Sequence, residues 1–163
     1  HAEHREDDLL ELYCGIGNFT LPLASRFRRV LATELSKPAT EAARWNADIN
    51  NVGNVEFARL SAEEMTSAME GERTYRRLAH LHQPLDQFDL RTLLVDPPRA
   101  GLDDATMNLA AGFDRILYIS CNPRTLAENL RTLSTTHAIS ELAFFDQFPY
   151  THHLESGVIL ARR

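Results

Sequence analysis

A chain of 163 residues suits one domain with a sizeable core, and 44% hydrophobic against 25% charged side chains excludes a disordered polymer. No apolar run approaches the roughly 20 residues of a membrane span, no signal-peptide pattern opens the chain, and Cys14 and Cys121 build neither a disulfide framework nor a metal knuckle, so a reducing cytoplasm is the expected compartment. The formal net charge of −6 counts against a domain that grips nucleic acid unaided, and the arginine clusters at 26/28/29, 73/76/77 and 162/163 read as solvated faces rather than an RNA footprint.

Residues 1–7 are polar and are expected to be a disordered or cut end. Residues 8–13 alternate into an apolar strand that ends in Cys14-Gly-Ile-Gly-Asn18, and residues 19–27 then carry Phe, Leu, Leu and Phe at helical spacing. Strand, glycine turn, helix is the opening unit of a nucleotide-binding α/β fold. Residues 30–34 form a second strand ending on an acid. Residues 37–51 form a helix with Ala39, Ala42, Ala43 and Ile49 turned inward, and residues 55–58 a short third strand. Ser61 and Glu64 spell a capping box that opens a helix to about Met69. Residues 71–89, polar and holding His80, His82 and Pro84, read as a loop or partly helical insertion. Residues 90–96 are the fourth strand, broken by Pro97-Pro98, and residues 103–111 are helical. Ile116 to Ile119 is an apolar run of strand length; Asn122 can cap the helix that follows, and Pro123 suits its first turn, where a missing N–H costs nothing. Residues 138–145 and 156–161 are the last two strands. This alternation predicts an α/β fold: a Rossmann-like, doubly wound, mostly parallel sheet with a C-terminal antiparallel strand, in one domain over residues 1–163.

In such a sheet ligands bind outside the carboxyl ends of the strands. Gly15 and Gly17 stand where the backbone turns sharply and admits a ligand, although a plain structural turn reads equally well from G-x-G. The third glycine of the dinucleotide fingerprint is absent, with Phe19 or Leu21 in its place, which disfavours a pyrophosphate cofactor and fits a nucleoside-type one such as S-adenosylmethionine. Glu34 stands where an acid takes a ribose hydroxyl pair; the alternative is a cap or a surface charge. Asp96 precedes a proline, which pushes it to an extended conformation. Methyltransferases acting on bases often carry a D-P-P loop here, but the amino-group methylators follow it with an aromatic, whereas this chain has Arg99. Cys121 falls at a strand's carboxyl end beside the positive end of a helix, a setting that lowers a thiol pKa from about 8.5; the alternative is a buried, inert cysteine. Cys14 reads as structural.

Four stretches in order, Leu10-Glu-Leu-Tyr-Cys-Gly-Ile-Gly-Asn-Phe19, Val95-Asp-Pro-Pro-Arg-Ala-Gly-Leu102, Tyr118-Ile-Ser-Cys-Asn-Pro123 and Phe145-Asp-Gln-Phe-Pro-Tyr-Thr-His-His-Leu-Glu155, together resemble the RNA uracil-5-methyltransferases that use S-adenosylmethionine. The last stretch looks most like the tRNA branch, which makes ribothymidine in the T loop. The resemblance implies a Rossmann-like methyltransferase domain in which Cys121 is the nucleophile that adds to carbon 6 of uracil and Glu155 the base that removes the carbon-5 proton. It implies that Tyr13, Asn18, Glu34 and Asp96 contact S-adenosylmethionine, with Gly15 and Gly17 giving it room. His152 and His153 either take the base's place or line the pocket, and a metal pair is not expected. Phe148 and Tyr150 either stack on a flipped nucleotide or pack in the core, and Arg99 either steadies its loop or meets a phosphate. The implied partner is tRNA through its T arm. Family members carry an upstream region that helps bind RNA and an upstream glutamine at the cofactor site; neither is in this sequence, so the chain is expected to be a catalytic domain with weak or absent turnover alone. The rival readings are the same chemistry on ribosomal RNA and a non-catalytic cofactor-binding module; a nicotinamide-dependent oxidoreductase lacks its third glycine.

Overall fold

The structure, a computed structural model, describes residues 6–147, 150 and 154–163. Its elements are β1 (Asp8–Leu12), α1 (Thr20–Ala24), β2 (Val30–Thr33), α2 (Lys37–Ile49), β3 (Val55–Ala58), α3 (Ala62–Met69), β4 (Leu90–Val95), α4 (Asp104–Ala110), β5 (Arg115–Ser120), α5 (Pro123–Leu133), β6 (His137–Phe145) and β7 (Glu155–Arg162). The α/β alternation predicted from the sequence is therefore present, with seven strands in a mixed, mostly parallel sheet. No helix among the described residues is long and apolar enough to cross a membrane. The chain divides into two compact units, His1–Arg91 and Thr92–Arg163.

In the first unit β1, β2 and β3 are parallel neighbours in the order β3-β2-β1, with Leu9 opposite Val30 and Val30 opposite Val55. All five residues of β1 and all four of β2 are buried, as parallel strands covered on both faces must be. That burial includes Asp8, whose side chain is wholly shielded from solvent. A buried carboxylate needs counter-charges, and Arg28 and Arg29 supply them at 2.8 and 2.9 Å. Burial pushes the Asp8 carboxyl up, but the hydrogen bonds from Arg28, Arg29 and the Asp89 N–H outweigh it and hold the group below the ordinary carboxylate range.

Six of the eight clustered arginines are exposed, as solvated faces require, while Arg29 and Arg77 are half-buried and several of the eight also hold internal partners. Arg29 also lies 5.0 Å from the Phe88 ring, Arg77 pairs with Glu64 and donates to the Arg59 carbonyl, and Arg162 donates to the carbonyls of Ala111 and Phe113. Asp7, assigned from sequence to a loose end, is buried, and its carbonyl accepts the Arg28 N–H.

Helix α1 is shorter than the periodicity predicts. Its chain tightens after Ala24 into i→i+3 bonds from Arg26 to Leu23 and from Phe27 to Ala24, which end the regular helix. In α2 the inward face is Thr40, Ala43 and Ala47, and Ile49 is 53% exposed instead of inward. Two residues past Ala47 is about 200° around a helix, so Ile49 faces away. The helix stops on a left-handed Asn51 (φ 54°), with Val52 and Asn51 donating to the Ala47 and Asp48 carbonyls, the Schellman closure. The predicted capping box is present, Ser61 and Glu64 each accepting the other's backbone N–H. The 71–89 insertion contains two short 3₁₀ turns, Arg76–Leu78 and Leu85–Gln87.

In the second unit β5 is parallel to β4 on one side and antiparallel to β7 on the other, and β6 is antiparallel to β7, an order of β4-β5-β7-β6. The core is Leu93, Leu94, Val95, Ile116, Tyr118, Leu126, Leu133, Val158 and Leu160. β6 is the outer strand; after His137 every residue of it is exposed, and its register shifts between Ile139 and Glu141. Such a bulge twists an edge and interrupts its pairing.

Candidate active site

In the first unit, the turn between β1 and α1 carries the first group of candidate residues. Tyr13 leaves the strand with φ 61°, followed by Gly15 at 57° and Gly17 at 91°. Glycine takes that region freely, but a tyrosine there is held at a cost of order 1–2 kcal/mol, and such outliers cluster at ligand sites. The turn is pinned by Cys14 N–H to the Thr33 carbonyl (3.0 Å) and Gly17 N–H to the Cys14 carbonyl (2.9 Å). Glu34, one residue past β2, is aimed by two backbone donors: Gly15 N–H reaches Oε2 at 3.1 Å and Ser36 N–H reaches Oε1 at 2.7 Å. The acid and the glycine turn that sequence reasoning paired are thus directly bonded. A Cβ at Gly15 would meet nothing within 4 Å, so open space lies beside the backbone here. Asn18 is exposed. It lines, with Gly17, Asn46 and Asn50, a cleft that does not include Glu34. Cys14 is 5% exposed, and burial followed by the charges of Glu11 and Glu34 pushes its thiol well above the ordinary range, the opposite of a reactive cysteine.

The second unit holds a separate group of candidates: Asp96, Arg99, Cys121 and Glu155. Asp96 follows β4 directly and is half-buried. Burial, then the charge of Glu155, pushes its carboxyl up to about 6, so two acids from different strands sense each other. Cys121 follows β5 and precedes α5. Asn122 caps that helix by accepting Arg124 N–H at 3.2 Å, and Pro123 opens it.

The β5–β7 ladder ends at Ser120 opposite Ser156. Cys121 and Glu155 each lie one residue beyond that last pair. Reversal of β7 is what brings this about, because it sets the start of β7 beside the end of β5. Both side chains are half-buried, neither sealed in the core nor fully in solvent. A thiol and a carboxylate so placed can serve one substrate ring as nucleophile and proton acceptor.

The Arg99 carbonyl, not only its side chain, has work in the loop: it accepts Asn122 Nδ2 at 3.0 Å and Thr125 Oγ1 at 3.1 Å. Tyr150 is fully exposed with φ 66°, which rules out core packing for it. Phe148, His152 and His153 lie outside the described residues. Among the described residues no group of three or more His, Cys, Asp or Glu side chains is placed to hold a metal. Asn129, which bonds both Tyr118 and the 97–102 loop, was missed by sequence reasoning. Its signal was there: an asparagine, a poor helix former, in the middle of α5.

Comparison with known proteins follows the same lines. The family described as tRNA (Uracil-5-)-methyltransferase matches residues 1–163. The chain is 58% identical over 161 residues to a tRNA/tmRNA (uracil-C(5))-methyltransferase of Acinetobacter baumannii (strain AYE), covering 99% of this chain and 45% of that protein. It is 61% identical over 153 residues to the protein of the same description from Acinetobacter baylyi, covering 94% and 42%. The chain thus spans less than half the length of these curated relatives. Among solved structures, the Pyrococcus abyssi tRNA (uracil-54, C5)-methyltransferase in complex with S-adenosyl-L-homocysteine superposes with a TM-score of 0.74 at 31% identity, over 97% of this chain and 35% of that one. An rRNA methylase from Streptococcus thermophilus superposes at 0.67 over 99% of this chain and 89% of that one, but at 11% identity it shares the fold alone.

Proposed function

Because the chain belongs to the tRNA (uracil-5-)-methyltransferase family, we propose that its 163 residues act as one catalytic domain that methylates carbon 5 of a uridine in tRNA, the T-loop uridine, with S-adenosylmethionine as donor. The observation that supports this reading is that Cys121 and Glu155 each lie one residue beyond the last pair of the antiparallel β5–β7 ladder, Ser120 opposite Ser156. The relatives' description as tRNA/tmRNA enzymes favours tRNA over ribosomal RNA.

Carbon 5 of uracil is a poor nucleophile until something adds to carbon 6. The Cys121 thiolate forms a sulfur–carbon bond to carbon 6, and the ring's electron pair moves toward the carbon-4 oxygen, leaving carbon 5 nucleophilic. S-adenosylmethionine, when bound, supplies an electrophilic methyl group on a sulfonium. Once carbon 5 carries the methyl, the Glu155 carboxylate takes its proton, the carbon 5–carbon 6 double bond re-forms and the Cys121 sulfur leaves. The open side of Gly15 fits a donor's approach to the backbone, with Glu34 oriented for the ribose hydroxyls and Tyr13, Gly17, Asn18 and Asp96 as its further contacts. Arg99, Phe148, Tyr150, His152 and His153 are assigned to the RNA side.

The test is intact-protein mass after mixing with S-adenosylmethionine and a T-arm hairpin carrying 5-fluorouridine. Fluorine blocks the last proton removal, so the protein traps itself covalently. The expected result is an adduct in the longest natural chain carrying these residues, lost in Cys121→Ala. A chain that binds the donor yet stays unmodified would point to a non-catalytic cofactor-binding module.

A further inference from the structure

The loop that leaves β4 with Asp96 turns through a hydrogen bond from Gly101 N–H to the Pro98 carbonyl (2.9 Å). Two asparagines of the following strand–helix unit hold it. Asn122, beside Cys121, donates to the Arg99 carbonyl at 3.0 Å. Two turns along α5, the Asn129 carboxamide oxygen accepts the Leu102 N–H at 3.0 Å and the Tyr118 hydroxyl at 2.6 Å. Both partners are donors, which fixes which end of the amide faces them. Tyr118 is wholly buried and Leu102 nearly so. Position 101 must be glycine on two counts: a Cβ would stand 2.6 Å from the Asn129 oxygen, and φ is +79°.

We propose that Asn129 is a positioning residue for the methyl transfer, clamping the Asp96 loop to the strand and helix that flank Cys121 so that carboxylate and thiol keep one relative placement. The proposal rests on the uracil-5 reading above. Asn129 acts through Leu102 and Tyr118 rather than on substrate. Without its oxygen, a buried phenol and a buried amide each lose an acceptor, and the loop is free to shift; a displacement of about 1 Å is enough to cost on the order of 100-fold in rate.

The test compares Asn129→Leu, which keeps the size and removes the acceptor, with Asn129→Asp, which keeps an acceptor, and Tyr118→Phe, which removes one of the two bonds. All are made in the longest natural chain carrying these residues. The readouts are the 5-fluorouridine adduct rate at saturating RNA and donor, the half-saturating RNA concentration, and amide hydrogen exchange over residues 98–102 and 121–126. Asn129→Leu is expected to slow the adduct about tenfold or more, leave half-saturation within about twofold and speed exchange in both segments. Asn129→Asp is expected to restore the rate to within about threefold, with Tyr118→Phe in between. A purely structural role would lower the melting temperature while the folded fraction reacts at the parental rate. Parental kinetics in Asn129→Leu, or Asn129→Asp no faster than Asn129→Leu, overturns the proposal. Should Asn129→Leu fail to fold, parental rate and exchange in Tyr118→Phe do the same. If the unaltered chain forms no adduct, the uracil-5 reading fails; unchanged exchange in Asn129→Leu then removes the clamp as well, and joint loosening reversed by Asn129→Asp keeps it.

Discussion

Asp96 is the residue whose charge the fold disfavours. Its carboxyl is raised from 3.8 to about 6 by burial and by Glu155, so the folded chain holds that proton more tightly than the unfolded one. Ionising the group therefore costs stability. The cost is absent below about pH 4, grows between about pH 4 and 6, and is complete above that window. An amide in its place cannot ionise, so Asp96→Asn is expected to raise the melting temperature at pH 8 and leave it unchanged at pH 4, while weakening S-adenosylmethionine binding in calorimetry at pH 8. An equal gain at both pH values would mean that the charge is not the source of the cost. Stability given up at this position is the trade expected if the proposed donor contact is right. Sequence reasoning could name Asp96, Cys121 and Glu155 because each sits beside a strand end and inside a motif. It could not see that Glu155 raises the Asp96 pKa, since the two are far apart in the chain and only the sheet brings their charges within reach.

At the scale of elements, the local signals that held were those whose partners are local too. The Ser61–Glu64 box closes within one turn, as does the Asn122 cap. Ser61→Ala is expected to cost about 1 kcal/mol, read as a lower urea midpoint with an unchanged slope; a change of slope would show that more than the cap was lost. Elements whose limits depend on distant groups were read less well. Periodicity alone could not end α1 at Ala24, and alanine content could not tell that Ile49 lies on the outer face of α2. The arginine clusters are mostly exposed as expected, but their internal partners were out of local view: Arg28 and Arg29 find their acid 20 and 21 residues away, and Arg162 finds carbonyls about 50 residues away.

For the whole molecule, the formal charge of −6 bears on RNA binding. A polyanion gains no long-range attraction from such a surface, and Arg28, Arg29 and Arg77 are paired with acids of the same chain. The 163 residues alone are therefore expected to bind a T-arm hairpin at least about tenfold more weakly than the longest natural chain carrying them, measured by fluorescence anisotropy at physiological salt. Equal affinity would place the RNA grip within this segment after all. The α/β order of the fold was legible throughout the sequence, because apolar runs of strand length alternate with stretches of helical spacing. The division into His1–Arg91 and Thr92–Arg163 was not, because the boundary falls inside β4, where no composition shift marks it.

The reversed ladder between β5 and β7 also sets which changes of chain length the protein can absorb. The placement of Cys121 and Glu155, each one residue past the last pair, depends on a residue count that runs only along the paired strands, from Arg115 to Ser120 and from Ser156 to Ala161. One residue inserted after Ser156 would shift Glu155 by one place and turn it to the other face of the sheet. A residue inserted at Thr135, between α5 and β6, leaves that count untouched. Lineages carrying this domain should thus drift in length at the α5–β6 connection while β7 stays fixed in length, a pattern of insertions and deletions set by strand pairing rather than by exposure.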